Sequence, residues 1–229
     1  MSDVVFSGHQ PNFAPYLGVF YKMFRSDVFV LDDDVQYSNS GLHNANFLKI
    51  CGQKSKVTIP VNTVFGDKIN EVEICHGRWE AKMLRSIRMN YGKAKFFDDG
   101  FDFIQRHFDK QYVFLSDMNI EMIKEIADRF GIKSRIVIAS KDVPTDKMNN
   151  ERNVYQCKAL GCNVYYSGVG GKDYNDEKMY NDNGIRIEYS DYVPFEYSQT
   201  GRGFIENLSV IDYIMNNGFK IPAEWKKLD

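Results

Sequence analysis

The sequence predicts an α/β fold: a mainly parallel, Rossmann-like sheet with a helical insertion at about residues 79–130. Three observations predict it. The chain opens on an apolar strand, a polar loop, an amphipathic helix and a second apolar strand, the order of a βαβ unit. Further along, helix, glycine and strand follow one another repeatedly. No low-complexity linker or internal repeat interrupts the chain, so residues 1–229 read as a single domain.

The elements follow in order. Val4-Val5-Phe6 is short, apolar and strand-like. Residues 16–24 carry Leu17, Phe20, Tyr21 and Phe24 at helical spacing. Val28 to Leu31 is again apolar and rich in strand formers. Asn46 to Ile50 and Lys56 to Val61 read as a β-pair around Gly52-Gln53, and Glu71 to Ile74 as one more strand. The middle is helical: Met83, Leu84 and Ile87 share one face, as do Phe101, Ile104 and Phe108. A third helix takes Ser116 as its cap and stops at Gly131. Arg135 to Ala139 is the next strand, followed by a helix, a glycine and the strand in "NVYYSG". "GIRIEYSDY" gives a further strand, and "LSVIDYIMNNG" a last helix ending near Gly218.

Composition excludes several function classes. With 29 basic and 31 acidic residues, the net charge of -2 argues against a nucleic-acid surface or a basic membrane patch. No stretch reaches the roughly 18 apolar residues of a membrane span, and "MSDVV" has no basic or apolar leader character. The four cysteines form no C-x-x-C pair. The expectation is a reduced, cytoplasmic protein. His43, His76 and His107 lack ligand spacing, so no metal site is expected. Cys157 reads as core, and Ser209 with Asp212 as a cap and a buried anchor.

In open parallel sheets, ligands bind outside the carboxyl ends of the strands. The loop from Gly8 to Pro15 leaves the first strand there, and Asp32-Asp33-Asp34 leaves the second at the same edge. His9 is therefore either a general base or a loop anchor, its ordinary pKa lying near neutrality. Asp32 or Asp34 would orient it or receive an ammonium. Gln10, Asn12, Tyr16, Gln36, Asn44 and Asn46 supply polar contacts, and Tyr37 an aromatic ring with a polar tip. Beyond a later strand, "YYSGVGGKDY" offers Ser167, Gly168, Gly170 and Gly171 as backbone donors to a phosphate, with Lys172 and Tyr174 beside them. It is neither a Walker A nor a G-x-G-x-x-G pattern, and it also reads as an ordinary tight turn. Arg152 opens a helix against the dipole, which suits an ion pair or a ligand. Tyr197 and Gln199 alternate on a strand-like segment and so share a face.

Ordered blocks across the chain carry a resemblance. "HQPNFAPYLGVF", "SDVFVLDDDVQY" and "NANFLKI" are followed by "NNERNVYQCKALGCNVYYSGVGGKDY", "GIRIEYSDYVPFEYSQ" and "FIENLSVIDYIMNNG". Together they resemble the WbqC-like family. The resemblance implies a place in O-antigen or related surface-polysaccharide biosynthesis, and a glycyl or other acyl transferase. Such an enzyme forms an amide on a dTDP- or UDP-linked amino sugar with glycine or an activated acyl group. One departure is visible: the family often carries an Arg between two Asn, where this chain has Ala45. A weaker resemblance links the opening unit to pantothenate synthetases and related nucleotidylyltransferase-like enzymes, whose paired-His loop binds ATP. Only His9 is present here. No cofactor is required by the sequence; ATP stays open. The alternatives to a transferase are a non-catalytic sugar- or nucleotide-binding protein of the same pathway, and an ATP-dependent amide ligase.

Overall fold

The computed structural model describes residues 2–228. The chain forms two compact units. The first comprises Met1–Gln10, Gly18–Asp34 and Ile132–Val193; the second comprises Pro11–Leu17, Val35–Gly131 and Pro194–Asp229.

The first unit is a five-stranded parallel sheet. Its strands are β1 (Val5–His9), β2 (Val28–Leu31), β7 (Arg135–Ile138), β8 (Val164–Ser167) and β9 (Arg186–Tyr189). They lie side by side in the order β7-β2-β1-β8-β9. Renumbered within this sheet, that is 3-2-1-4-5, the Rossmann-like order. Helix α1 (Leu17–Phe24) joins β1 to β2, α5 (Ala139–Asp142) and α6 (Asn149–Ala159) join β7 to β8, and α7 (Glu177–Asp182) joins β8 to β9. The opening βαβ unit thus forms as predicted, with Phe6 opposite Val28 and His9 opposite Leu31. One face of the sheet is sealed by a cluster including Phe6, Val30, Val137, Val154, Cys157 and Tyr165. Burial of Cys157 among these apolar groups pushes its thiol up to about 12, which leaves no thiolate for nucleophilic work.

The second unit carries two hairpins and a group of helices. Strands β3 (Ala45–Ile50) and β4 (Gln53–Thr58) pair antiparallel, as do β5 (Val61–Asn62) and β6 (Glu73–Ile74). The helices are α2 (Trp79–Tyr91), α3 (Phe97–Asp109), α4 (Leu115–Phe130) and α8 (Val210–Asn217). The first three fill the segment predicted as a helical insertion. Gly100 on α3 faces α8, where a Cβ would lie 2.8 Å from the Met215 sulfur. Its lack of a side chain lets the two helices approach.

Three details differ from the sequence reading. The second strand of the first hairpin begins at Gln53 and ends at Thr58, and Val61 belongs to the separate β5. Ser116 is a buried residue inside the first turn of α4, whose N-cap is Phe114 without a side-chain bond. Gly131 does end that helix, in the left-handed region at φ 74°. Residues 191–199 form no strand. Gln199 is instead a brace: its amide donates to Ile205 O at 2.8 Å and accepts from Ile205 N at 3.0 Å.

Candidate functional site

The acids that leave β2 go to two destinations. Asp33 is buried and serves the start of α5, accepting from Ser140 N at 2.9 Å and Ser140 Oγ at 2.6 Å. Asp32 and Asp34 turn to α6. Arg152 and Gln156 lie four residues apart there, on one helix face. Arg152 Nε donates to Asp32 Oδ1 at 2.9 Å, and its Nη2 donates to Asp34 Oδ1. Gln156 Nε2 adds a third bond, to Asp32 Oδ1 at 2.8 Å. Burial raises the Asp32 carboxyl above its ordinary range, with the Gln156 amide and the Arg152 guanidinium pulling against it. Burial also works against the Arg152 charge, and the two carboxylates more than offset it. Gln156 is fully buried, yet its Oε1 takes no hydrogen bond among the described residues.

At the end of β1, side chains alternate between the sheet faces. Phe6 and Gly8 belong to the face that α6 covers, where Phe6 packs with Val154 and Cys157. His9 belongs to the other. A Cβ on Gly8 would sit 3.1 Å from Asp32 Oδ2. The two strand exits are tied directly, Asp32 N donating to His9 O at 3.0 Å. Asp32 and Asp34 are both engaged by α6. The imidazole Nδ1 of His9 lies 2.7 Å from Gln10 O. A carbonyl only accepts, so in the neutral ring Nδ1 carries the proton and Nε2 the basic lone pair. Below this loop, Lys22 on α1 donates to Gly8 O at 2.8 Å. Burial lowers the Lys22 ammonium to about 8, partly opposed by Asp32.

Strand β8 ends beside β1. Ser7 Oγ donates across to Tyr166 O at 2.7 Å. Connections leave β1 toward β2 on one side and β8 toward β9 on the other, so the β1/β8 edge is the topological switch point. Ser167 closes β8 and is fully buried; its Oγ accepts from Asn175 Nδ2 at 3.0 Å. The glycine-rich stretch is a 3-10 turn, Val169–Asp173. A Cβ on Gly171 would lie 2.1 Å from Ser167 Oγ, whereas one on Gly168 would meet open space. Lys172 Nζ sits 5.4 Å from the Tyr189 ring centre, and Tyr174 is exposed.

Thus His9, Gln10, Asp32, Asp34, Arg152, Ser167, Gly168, Gly171, Lys172 and Tyr174 all belong to the first unit. Gly170 belongs there as well, and the remaining sequence candidates belong to the second. Asn44 Nδ2 donates to Ile59 O at 2.9 Å. Asn46 is buried and donates to Phe13 O and Ala14 O, both at 2.8 Å. Asn12 Oδ1 is buried and takes no hydrogen bond among the described residues, and Tyr16 bridges to Ser209. Tyr197 packs on the Tyr213 ring at 5.1 Å, and Lys49 donates to Gln199 at 3.4 Å. Gln36 and Tyr37 line a surface cleft. Sequence reasoning missed Lys22, Gln156 and Asn175. Only Gln156 carried a signal, its spacing from Arg152.

Among the described residues, no group of three or more His, Cys, Asp and Glu could hold a metal ion, and no helix is long and apolar enough to cross a membrane. One relative is an uncharacterized protein, Rv1507c, of Mycobacterium tuberculosis (strain ATCC 25618 / H37Rv). It is 28% identical over 217 residues, covering 93% of this chain and 94% of the relative. No solved structure matches the chain significantly. The profile of the WbqC-like protein family matches residues 10–223, nearly the whole length, and the chain belongs to that family.

Proposed function

We propose that the protein is an acyltransferase of polysaccharide biosynthesis that forms an amide on a nucleotide-linked amino sugar, with a glycyl group as the acyl unit. One observation carries this reading: the direct tie between the exits of β1 and β2, which puts His9 and the Asp32–Arg152–Asp34 cluster at one sheet edge. Membership of the WbqC-like family supports the polysaccharide setting.

In this reading the sugar amine, as the free base, attacks the carbonyl carbon of an activated acyl donor such as a thioester or acyl phosphate. The C–N bond forms as His9 Nε2 takes the amine proton. The tetrahedral intermediate then collapses, the bond to the leaving group breaks, and the imidazolium returns the proton to it. Gln10 and the amides of Gly168 and Gly170 donate to the oxyanion or the nucleotide phosphates, Gly171 N being held by Gly168 O at 2.9 Å. Lys172 adds positive charge there, and exposed Tyr174 offers a ring to the base. Asp32 and Asp34 hold the Arg152 guanidinium at the edge, and the ammonium gives up its first proton to solvent before the free amine attacks.

A second reading rests on the Nδ1 bond to Gln10 O. If that bond is the imidazole's purpose, His9 anchors its loop and the protein binds the nucleotide sugar without turnover. Mass spectrometry separates the two readings. The protein is incubated with dTDP- and UDP-linked amino sugars and activated glycyl donors, with and without ATP. The expected result is a product heavier by one glycyl unit, lost in His9→Ala while sugar-nucleotide affinity stays within about tenfold, because a base acts mainly in the transition state. Tight binding with no mass shift for any donor establishes the binding-only reading.

A further inference from the structure

The second unit contains a cleft of about 420 Å³ between the segments 36–39 and 63–66. That volume lies within the roughly 300–1,000 Å³ range of small-molecule sites. Gln36, Tyr37, Ser38, Asn39, Thr63 and Phe65 contribute to its walls, and none of its eight lining residues is charged. Residues bearing amides, hydroxyls and aromatic rings line one concavity.

Phe65 is fully exposed. A free phenyl ring ordinarily folds onto the nearest apolar surface, since about 25 cal/mol is regained per Å² buried. Here the loop is pinned from beneath. Asp67 Oδ2 accepts from Val64 N at 2.7 Å and from Thr63 Oγ1 at 3.1 Å. Asp67 O accepts from Tyr37 N at 2.8 Å, which ties the two walls together. Gln36 pairs with Lys68, and Ile69 N donates to Val35 O at 3.0 Å. Tyr37 is backed by the His43 ring at 5.3 Å. His43 is itself buried, and desolvation lowers it to about 4, so the wall behind Tyr37 is uncharged at neutral pH. The cleft is preformed and neutral, and it presents an aromatic surface that none of the described residues covers.

We propose that this cleft binds the pyranose ring of an uncharged saccharide. A sugar has an apolar C–H face and a rim of hydroxyls. The first suits Phe65 and Tyr37; the second suits the Gln36 and Asn39 amides, which both donate and accept. A phosphate or carboxylate ligand finds no cation among the lining residues. An apolar peptide would leave Gln36 and Asn39 unpaired on burial. The inference goes beyond the acyl-transfer reading and does not depend on it, since it is tested by binding alone.

The test is saturation-transfer NMR on the full chain with glucose, galactose and N-acetylglucosamine as probes. For at least one sugar we expect transfer concentrated on the C–H protons of one ring face, with a Kd of about 1 mM. Phe65→Ser should weaken it about tenfold. The exposed ring supports no packing, so this variant should melt with the wild type. Asn39→Ala gives an independent check on the opposite wall. Absence of transfer from every probe overturns the proposal, as does undiminished transfer in Phe65→Ser. Concentration-dependent self-association in light scattering, abolished by Phe65→Ser, also overturns it by giving the cleft to a second copy of the chain.

Discussion

Lys22 Nζ donates to the carbonyl oxygen of Gly8 at 2.8 Å, so a buried ammonium supports the end of the strand that carries His9. The unfolded chain holds this proton up to about 10.5, whereas burial in the fold lowers the group to about 8. Between those values the unfolded state binds more protons, so this group makes stability rise with pH. The span corresponds to about 3 kcal/mol. Denaturant unfolding at pH 7 and pH 10 of wild type and Lys22→Met should show the wild type gaining about 2–3 kcal/mol more than the variant. Parallel pH profiles would remove Lys22 from the account.

Arg152 sits between Asp32 and Asp34 with its side chain 8% exposed. Removing one partner of a buried ion pair leaves uncompensated charge, at a cost of about 3–5 kcal/mol. Arg152→Met should lose that much in urea unfolding. Adding Asp32→Asn and Asp34→Asn should recover part of the loss, because the three groups act as one network. Strict additivity of the three changes would mean that the pairs contribute nothing jointly.

Gly171 matters through what it leaves out. Its missing Cβ makes room for Ser167 Oγ, which a methyl group would approach to 2.1 Å. Gly171→Ala should break the Ser167–Asn175 bond and cost about 1–3 kcal/mol. Gly168→Ala, whose Cβ meets open space, should melt with the wild type. If both variants unfold alike, the close approach at Gly171 is not what the turn requires.

His76 is a charge clip in the second unit. Nδ1 lies 2.9 Å from Glu80 Oε1 and Nε2 lies 2.8 Å from Tyr112 O. Both partners accept, so both ring nitrogens carry protons, and chiefly the Glu80 bond raises the pKa. The contribution is fully present below the unfolded value near 6.5 and is lost as pH rises through the folded one. His76→Gln should lower Tm more at pH 5.5 than at pH 8.5. The side chain is 32% exposed, so the difference should stay under about 1 kcal/mol. Equal Tm losses at both pH values would contradict a protonated clip.

Local signals carried much of the architecture. Apolar runs of strand length, helical spacing between them and Gly131 as a stop are set by neighbours within a few residues, and each formed. Ser116 misled because a cap requires a position just outside the helix, and Leu115 had already entered it. Tyr197 and Gln199 misled because two-residue alternation makes a strand only where a partner strand exists. Within the acidic triplet, composition gave three equivalent carboxylates. Their separation into one support for α5 and two partners of Arg152 depended on a helix more than 100 residues later.

The sequence by itself determined the parallel α/β class, the family and the residue types at the sheet edge, because periodicity and ordered motifs are written in local order. Only the tertiary structure decided the 3-2-1-4-5 strand order, the burial of Lys22, the capture of Asp32 and Asp34 by Arg152, and the uncovered neutral cleft at Phe65. Those depend on contacts between distant segments, whose burial and charge pairing exist only once the chain has closed on itself.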